Sequence, residues 1–187
     1  MLANTIFEDA VEKIFDVTKR FASALEAAAI PYRVVGGLAV FVHVNARDPM
    51  AARLTKDVDV AIDRKNLDAI RTALEPYGFT FRHVAGVDMF VDANNPNAST
   101  ALHLLYLGER ARSGDLEAVP DSLPEQSPRG FMIAPVVDLV QMKLTCYRLK
   151  DQVHIQDLDR VGLITPEIEQ TLSAPLLARL KEVRSKL

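Results

Sequence analysis

Two carboxylates set two residues apart, Asp57 and Asp59, are the residues of this chain best placed to do chemistry. Val58, Val60 and Ile62 alternate with Asp57, Asp59 and Ala61. That is the period of a strand with one buried face. It points both aspartates the same way, about 7 Å apart along the strand, close to the strand's C-terminal end. Carboxylates sharing a face repel each other unless a cation lies between them. The pair therefore suits a divalent ion such as Mg²⁺ or Mn²⁺, which prefers oxygen ligands.

A second motif lies upstream. Residues 33–40, Arg-Val-Val-Gly-Gly-Leu-Ala-Val, read as a short strand, a glycine turn and a helix start. Gly36 and Gly37 permit positive φ and leave backbone N–H groups uncovered. Such groups at a helix N-terminus attract phosphate; a plain tight turn is the other reading. Together, a phosphate cradle and a metal-holding Asp-x-Asp form a minimal kit for handling a nucleoside triphosphate.

Gly36-Gly37 followed by Thr55-Lys56-Asp57-Val58-Asp59 resembles the nucleotidyltransferase superfamily, with its Gly-Gly turn before Asp-x-Asp. The Thr-x-Asp-x-Asp form is similar to a small bacterial branch of minimal and abortive-infection-toxin-like members. The run from Lys143 to Asp151 resembles that branch's basic helix. The resemblance spans roughly residues 33–158. It implies an α/β (α+β) fold, a mixed sheet with helices mainly on one side and further helices at the C-terminus. It also implies a core over 1–134 and a helical segment over 135–187 packed on it. The activity implied is metal-dependent transfer of a nucleotidyl group from a nucleoside triphosphate to an acceptor: RNA, protein or a small molecule. Asp57 and Asp59 would hold the metal. Gly36, Gly37, Arg53, Thr55, Lys143 and Lys150, with Lys56, would meet the nucleotide.

One departure matters. The family places a third carboxylate on a later strand, and the matching stretch Ala101–Leu107 has His103 there. A neutral imidazole can act as a general base but is a poor ligand for hard cations. The alternatives are a nucleotide-binding or regulatory protein of the same fold without turnover and, more remotely, a phosphate-ester hydrolase. Asp88 and Asp92 on a neighbouring strand could supply a carboxylate or solvate a hairpin.

Other elements must position these groups. Thr5 and Glu8 suit a capping box for a first helix running to about Ala29, before Pro31. A second helix begins at Leu38. The loop 45–52 is expected to bring Arg47 and Arg53 near the aspartate strand. Asp63 can cap a third helix ending at Pro76-Tyr77-Gly78. Residues 79–84 and 87–91 read as a hairpin around Ala85-Gly86, and 92–99 as a turn cluster. Residues 108–130, with three prolines, read as an irregular arm over the site. One long helix is expected after Pro135. It carries Lys143, Tyr147, Lys150 and His154 as a polar stripe, beside an apolar stripe that includes Cys146. Thr165-Pro166-Glu167 starts a helical tail.

With 187 residues and 49% hydrophobic content, the chain can bury one domain's core. A net charge of −3 argues against a nucleic-acid coat protein. A single cysteine excludes an internal disulfide and fits a reducing compartment. No apolar run reaches membrane-spanning length, so the expectation is a soluble cytoplasmic protein.

Overall fold

The computed structural model describes residues 2–53, 55, 57–93 and 101–186, with side chains from residue 12 onward. Helix α1 (Leu2–Ala27) leads to β1 (Arg33–Val35) and α2 (Gly36–Arg47). Next come β2 (Val58–Ile62), α3 (Leu67–Leu74), β3 (Phe79–Val84), β4 (Val87–Asp92) and β5 (Leu102–Tyr106). Two short strands follow, β6 (Glu125–Gln126) and β7 (Met132–Ile133). Helices α4 (Val136–Cys146), α5 (Leu149–Arg160), α6 (Pro166–Thr171) and α7 (Ala174–Arg184) complete the order. The strands form one mixed sheet in the order β3-β4-β5-β2-β1-β7-β6. Strand β2 is antiparallel to β1 and parallel to β5.

Side-chain alternation divides the sheet into a covered face and a working face. Val58, Val60 and Ile62 are all buried. Phe90 pairs with Leu102, and Leu102 with Val58, so these residues share one face. Phe21 of α1 packs its ring against Phe79 and Phe90, which places α1 over that face. α3, whose Ile70 and Leu74 are buried, packs against α1. α2 packs against α4 and α5. The opposite face carries Asp59, His103 and Met89, which are register partners in turn.

Local rules account for most elements. Asp63 accepts from the Lys65 backbone N–H at 3.0 Å and caps the helical turn into α3; a further turn over Glu75–Tyr77 follows α3 and is closed by Gly78 at φ 78°. Ala85 and Gly86 both have positive φ, as a two-residue hairpin of right-handed twist requires.

Four expectations are corrected. α1 begins at Leu2, so Thr5 lies inside it and is not its cap. The aspartates lie at the N-terminal end of β2, Asp57 just before it, because the strand starts at Val58. The long helix after Pro135 is two helices: Tyr147 is left-handed at φ 54° and closes α4. Asp151 makes the break: its carboxylate accepts from the Arg148 backbone N–H at 3.2 Å and caps a new helix, which breaks up the expected polar stripe. Fourth, Asp88 and Asp92 do not stand beside Asp59 as a third carboxylate. Met89, not Asp88, is in register with His103. Asp88 lines the same cavity but accepts from the Tyr106 hydroxyl and bonds the His83 ring at 2.6 Å, and Asp92 pairs with Arg20 of α1. The turn cluster falls largely on residues 94–99, outside the described residues.

A candidate triphosphate site at the glycine turn

Register brings the two motifs together. Val35, the last residue of β1, pairs with Asp59. Gly36 follows at φ 70° and opens α2, two residues earlier than the apolar pattern alone suggests. A Cβ on Gly36 would overlap the Asp59 carboxylate. Glycine is required here twice over, for positive φ and for the approach of Asp59 to the backbone. Gly36→Ala is expected to cost about 1–3 kcal/mol of stability and to push Asp59 aside. Thermal melts check the first effect, and an unchanged melting temperature would contradict it.

Gly37 meets a different neighbour. A Cβ there would come within 2.8 Å of Thr55 Cβ and 3.4 Å of His154 Cε1. Thr55 Oγ1 in turn accepts from the Asp57 backbone N–H at 3.3 Å. Thr55 therefore wedges between the glycine turn and Asp57. Burial pulls the His154 imidazole down to about pKa 4, with Lys143 adding to the shift, so His154 packs here as a neutral ring.

Asp57, Asp59, His103 and Gly36 line one cavity of about 520 Å³, together with Lys143, Arg148 and Lys150. Each aspartate has a nitrogen partner. Lys150 Nζ lies 3.6 Å from Asp57 Oδ2, and His103 Nδ1 lies 3.6 Å from Asp59 Oδ1. The Asp59 carboxylate raises the His103 pKa above its ordinary value, against the opposing effect of burial. Lys143 is almost wholly buried and bonds Asp151 at 3.1 Å. Burial works to raise the Asp151 pKa, but the Arg148 hydrogen bond and the Lys143 charge outweigh it and hold the carboxyl below its usual range.

The sequence-predicted residues thus divide. Gly36, Asp57, Asp59, His103, Lys143 and Lys150 come together around the cavity. Arg53 is drawn to α5, donating to Asp157 Oδ1 at 3.0 Å. Gly37 and Thr55 support the turn from beside the cavity. Lys56 lies outside the described residues. The sequence reading missed Thr145, 8% exposed and lining the cavity with a hydroxyl that has no hydrogen-bond partner among the described residues. It also missed Arg148, whose place beside Asp151 depends on the helix break. Cys146 is half-buried in the same wall, and burial raises its thiol pKa.

Among the described residues no cluster of three or more His, Cys, Asp or Glu side chains is arranged to hold a metal. Two carboxylates nevertheless fit Mg²⁺, which commonly takes one or two carboxylates and completes its shell with phosphate and water. No described helix is long and apolar enough to cross a membrane.

No protein-family model and no curated protein matches the sequence. Solved structures do. The crystal structure of an antigenic nucleotidyltransferase-like protein from Paracoccidioides brasiliensis superposes with a TM-score of 0.60 at 16% identity, over 94% of this chain and 88% of that one. The antibiotic-resistance factor ANT(2'')-Ia in solution gives 0.45 at 12% identity, over 92% and 83% of the two chains. Its crystal structure with adenylyl-2''-tobramycin gives 0.44 at 13%, over 92% and 97%. The first likeness, with the glycine turn, the mixed sheet and the placement of Asp57 and Asp59, identifies the architecture of this chain as the nucleotidyltransferase fold.

Proposed function

We propose that this chain is a metal-dependent nucleotidyltransferase that moves a nucleoside monophosphate from a nucleoside triphosphate to an acceptor hydroxyl or amine. The observation that carries the reading is the contact between Gly36 and Asp59. It sets the start of a helix, where backbone N–H groups attract phosphate, directly beside a pair of carboxylates. A divalent cation held by Asp57 and Asp59 would offset phosphate charge and polarise the α-phosphate. The first N–H groups of α2 at Gly36 and Gly37 hold the triphosphate chain. Lys150, at 3.6 Å from Asp57, is placed to turn from the carboxylate to a phosphate oxygen. The acceptor oxygen or nitrogen gives its proton to His103 as general base and bonds to the α-phosphorus, the bond from that phosphorus to the α–β bridging oxygen breaks, and pyrophosphate leaves. The Thr-x-Asp-x-Asp spelling favours the small minimal, abortive-infection-like branch of the superfamily.

Residue 103 decides how complete the site is. His103→Asp adds a hard oxygen ligand on the working face and is expected to keep or raise metal-dependent transfer of an α-labelled nucleotide. His103→Ala is expected to lower it by about 10²-fold. Full activity in the alanine variant would remove His103 from the site. The contact of His103 with Asp59 also favours a second reading, a nucleotide-binding or regulatory protein without turnover. A wild type inactive on RNA, protein and small-molecule acceptors, beside an active His103→Asp, would establish that reading.

A further inference from the structure

We infer that Arg110 and Arg112, on the loop between β5 and β6, form the clamp for the phosphates beyond the α-phosphate, the pair that leaves as pyrophosphate. The inference rests on the nucleotidyltransferase reading and adds residues to its site.

Charge balance carries the argument. Six carboxylates and six lysine or arginine cations line the cavity. Four of the cations are already engaged: Arg64 with Glu109, Lys143 and Arg148 with Asp151, and Lys150 with Asp57. Arg110 and Arg112 line the cavity and have no ion-pair partner among the described residues. A divalent cation on Asp57 and Asp59 would cancel the aspartate pair and leave the cavity positive. A triphosphate carrying one such cation remains negative, so the two charges complement each other. Thr145, in the same lining, has a buried hydroxyl without a partner among the described residues, which suits a polar ligand.

The loop is built to aim these side chains. Its base is closed by hydrogen bonds from Gly108 N–H to Val119 O and from Val119 N–H to Glu109 O, both 2.8 Å. Arg64 grips Glu109 with two bonds of 2.6 and 2.7 Å, immediately before Arg110. Asp115 accepts from the Arg112 backbone N–H at 2.9 Å and folds the tip back. Both arginine side chains stay exposed, and guanidinium groups bind phosphate oxygens in pairs.

The test uses the full chain in calorimetric titrations with magnesium pyrophosphate, a non-hydrolysable nucleoside triphosphate, the nucleoside monophosphate and a single-stranded RNA oligonucleotide. Wild type is compared with Arg110→Gln/Arg112→Gln and with Arg110→Lys/Arg112→Lys, and thermal melts confirm equal folding of these surface variants. The glutamine pair is expected to weaken pyrophosphate and triphosphate binding by roughly tenfold to a hundredfold. Monophosphate binding should hold, and the lysine pair should recover part of the loss. Unchanged pyrophosphate affinity would overturn the inference. So would loss of RNA binding with pyrophosphate binding intact, which would assign the arginines to an acceptor. Triphosphate binding that needs Asp57 and Asp59 but ignores both arginines would overturn the clamp alone. A wild type that binds neither triphosphate nor pyrophosphate would overturn the clamp and the nucleotidyltransferase reading together.

Discussion

Asp57→Asn combined with Asp59→Asn is expected to lower metal-dependent nucleotidyl transfer by roughly 10³-fold, the largest functional effect of any change in this chain. The substitution keeps side-chain shape and removes both charges. It leaves Lys150 and His103 facing neutral amides and a divalent cation without its protein ligands. Charge stabilisation by a bound metal ion is worth several kcal/mol, and each 1.4 kcal/mol, roughly, is a factor of ten in rate. Both aspartates are partly exposed at the N-terminal end of β2, so the fold should survive, with melting temperature near that of wild type. Triphosphate binding measured with and without Mg²⁺ separates the causes. If binding in the double variant still depends fully on the metal, the ion is held elsewhere.

The largest stability effect is expected from Asp151→Asn. Asp151 is fully buried, as is nearly all of Lys143, and Arg148 closes the same carboxylate from the other side. Removing one partner of a buried pair leaves a charge without compensation, at a cost of about 3–5 kcal/mol. For a chain of this size that lowers the melting temperature by roughly 6–20 °C. The cap on α5 goes with it. Lys143→Met combined with Asp151→Asn should be less unstable than Asp151→Asn alone, since no lysine is then stranded. The pH dependence has a fixed sign. Because folding lowers the Asp151 pKa, its contribution is present above the unfolded value of about 3.9 and is lost as pH falls through the lower folded value. The Asp151→Asn variant should therefore lose part of the wild type's acid sensitivity. Equal melting temperatures for wild type and variant at neutral pH would show that the buried pair contributes nothing.

What could be read in the sequence follows from which interactions are local. The alternation of Val58, Val60 and Ile62 marks a strand and the face that Asp59 shares with its neighbours, but not that the strand begins at Val58 and leaves Asp57 just before it. The hairpin at Ala85-Gly86 and the stop at Gly78 depend on residues whose φ preferences are their own. Where the outcome depends on a distant partner, the pattern misleads. Residues 136–160 keep an apolar stripe through Tyr147, and nothing in that stripe shows the buried Asp151 carboxylate cutting the helix in two. Arg53 stands next to the motif in sequence, yet Asp157 of α5 holds it outside the cavity. Asp88 lines the same cavity as His103, but the β4–β5 register sets Met89 opposite His103, and the Tyr106 hydroxyl and His83 ring engage the Asp88 carboxylate. The segment 108–130 is legible as an irregular arm from its acidic residues and its three prolines, and its first part, Glu109 to Val119, supplies part of the cavity lining. The uncommitted charges of Arg110 and Arg112 emerge only when every other cation in the cavity is matched with its carboxylate.

The measurement that bears most directly on the site is a crystal structure of the full chain grown with Mn²⁺ and a non-hydrolysable nucleoside triphosphate. The account predicts an anomalous manganese peak between the Asp57 and Asp59 carboxylates, with the triphosphate running past Gly36 at the start of α2. Manganese bound away from these aspartates, or a triphosphate ordered elsewhere while Lys150 and His103 still hold the two carboxylates, would contradict it.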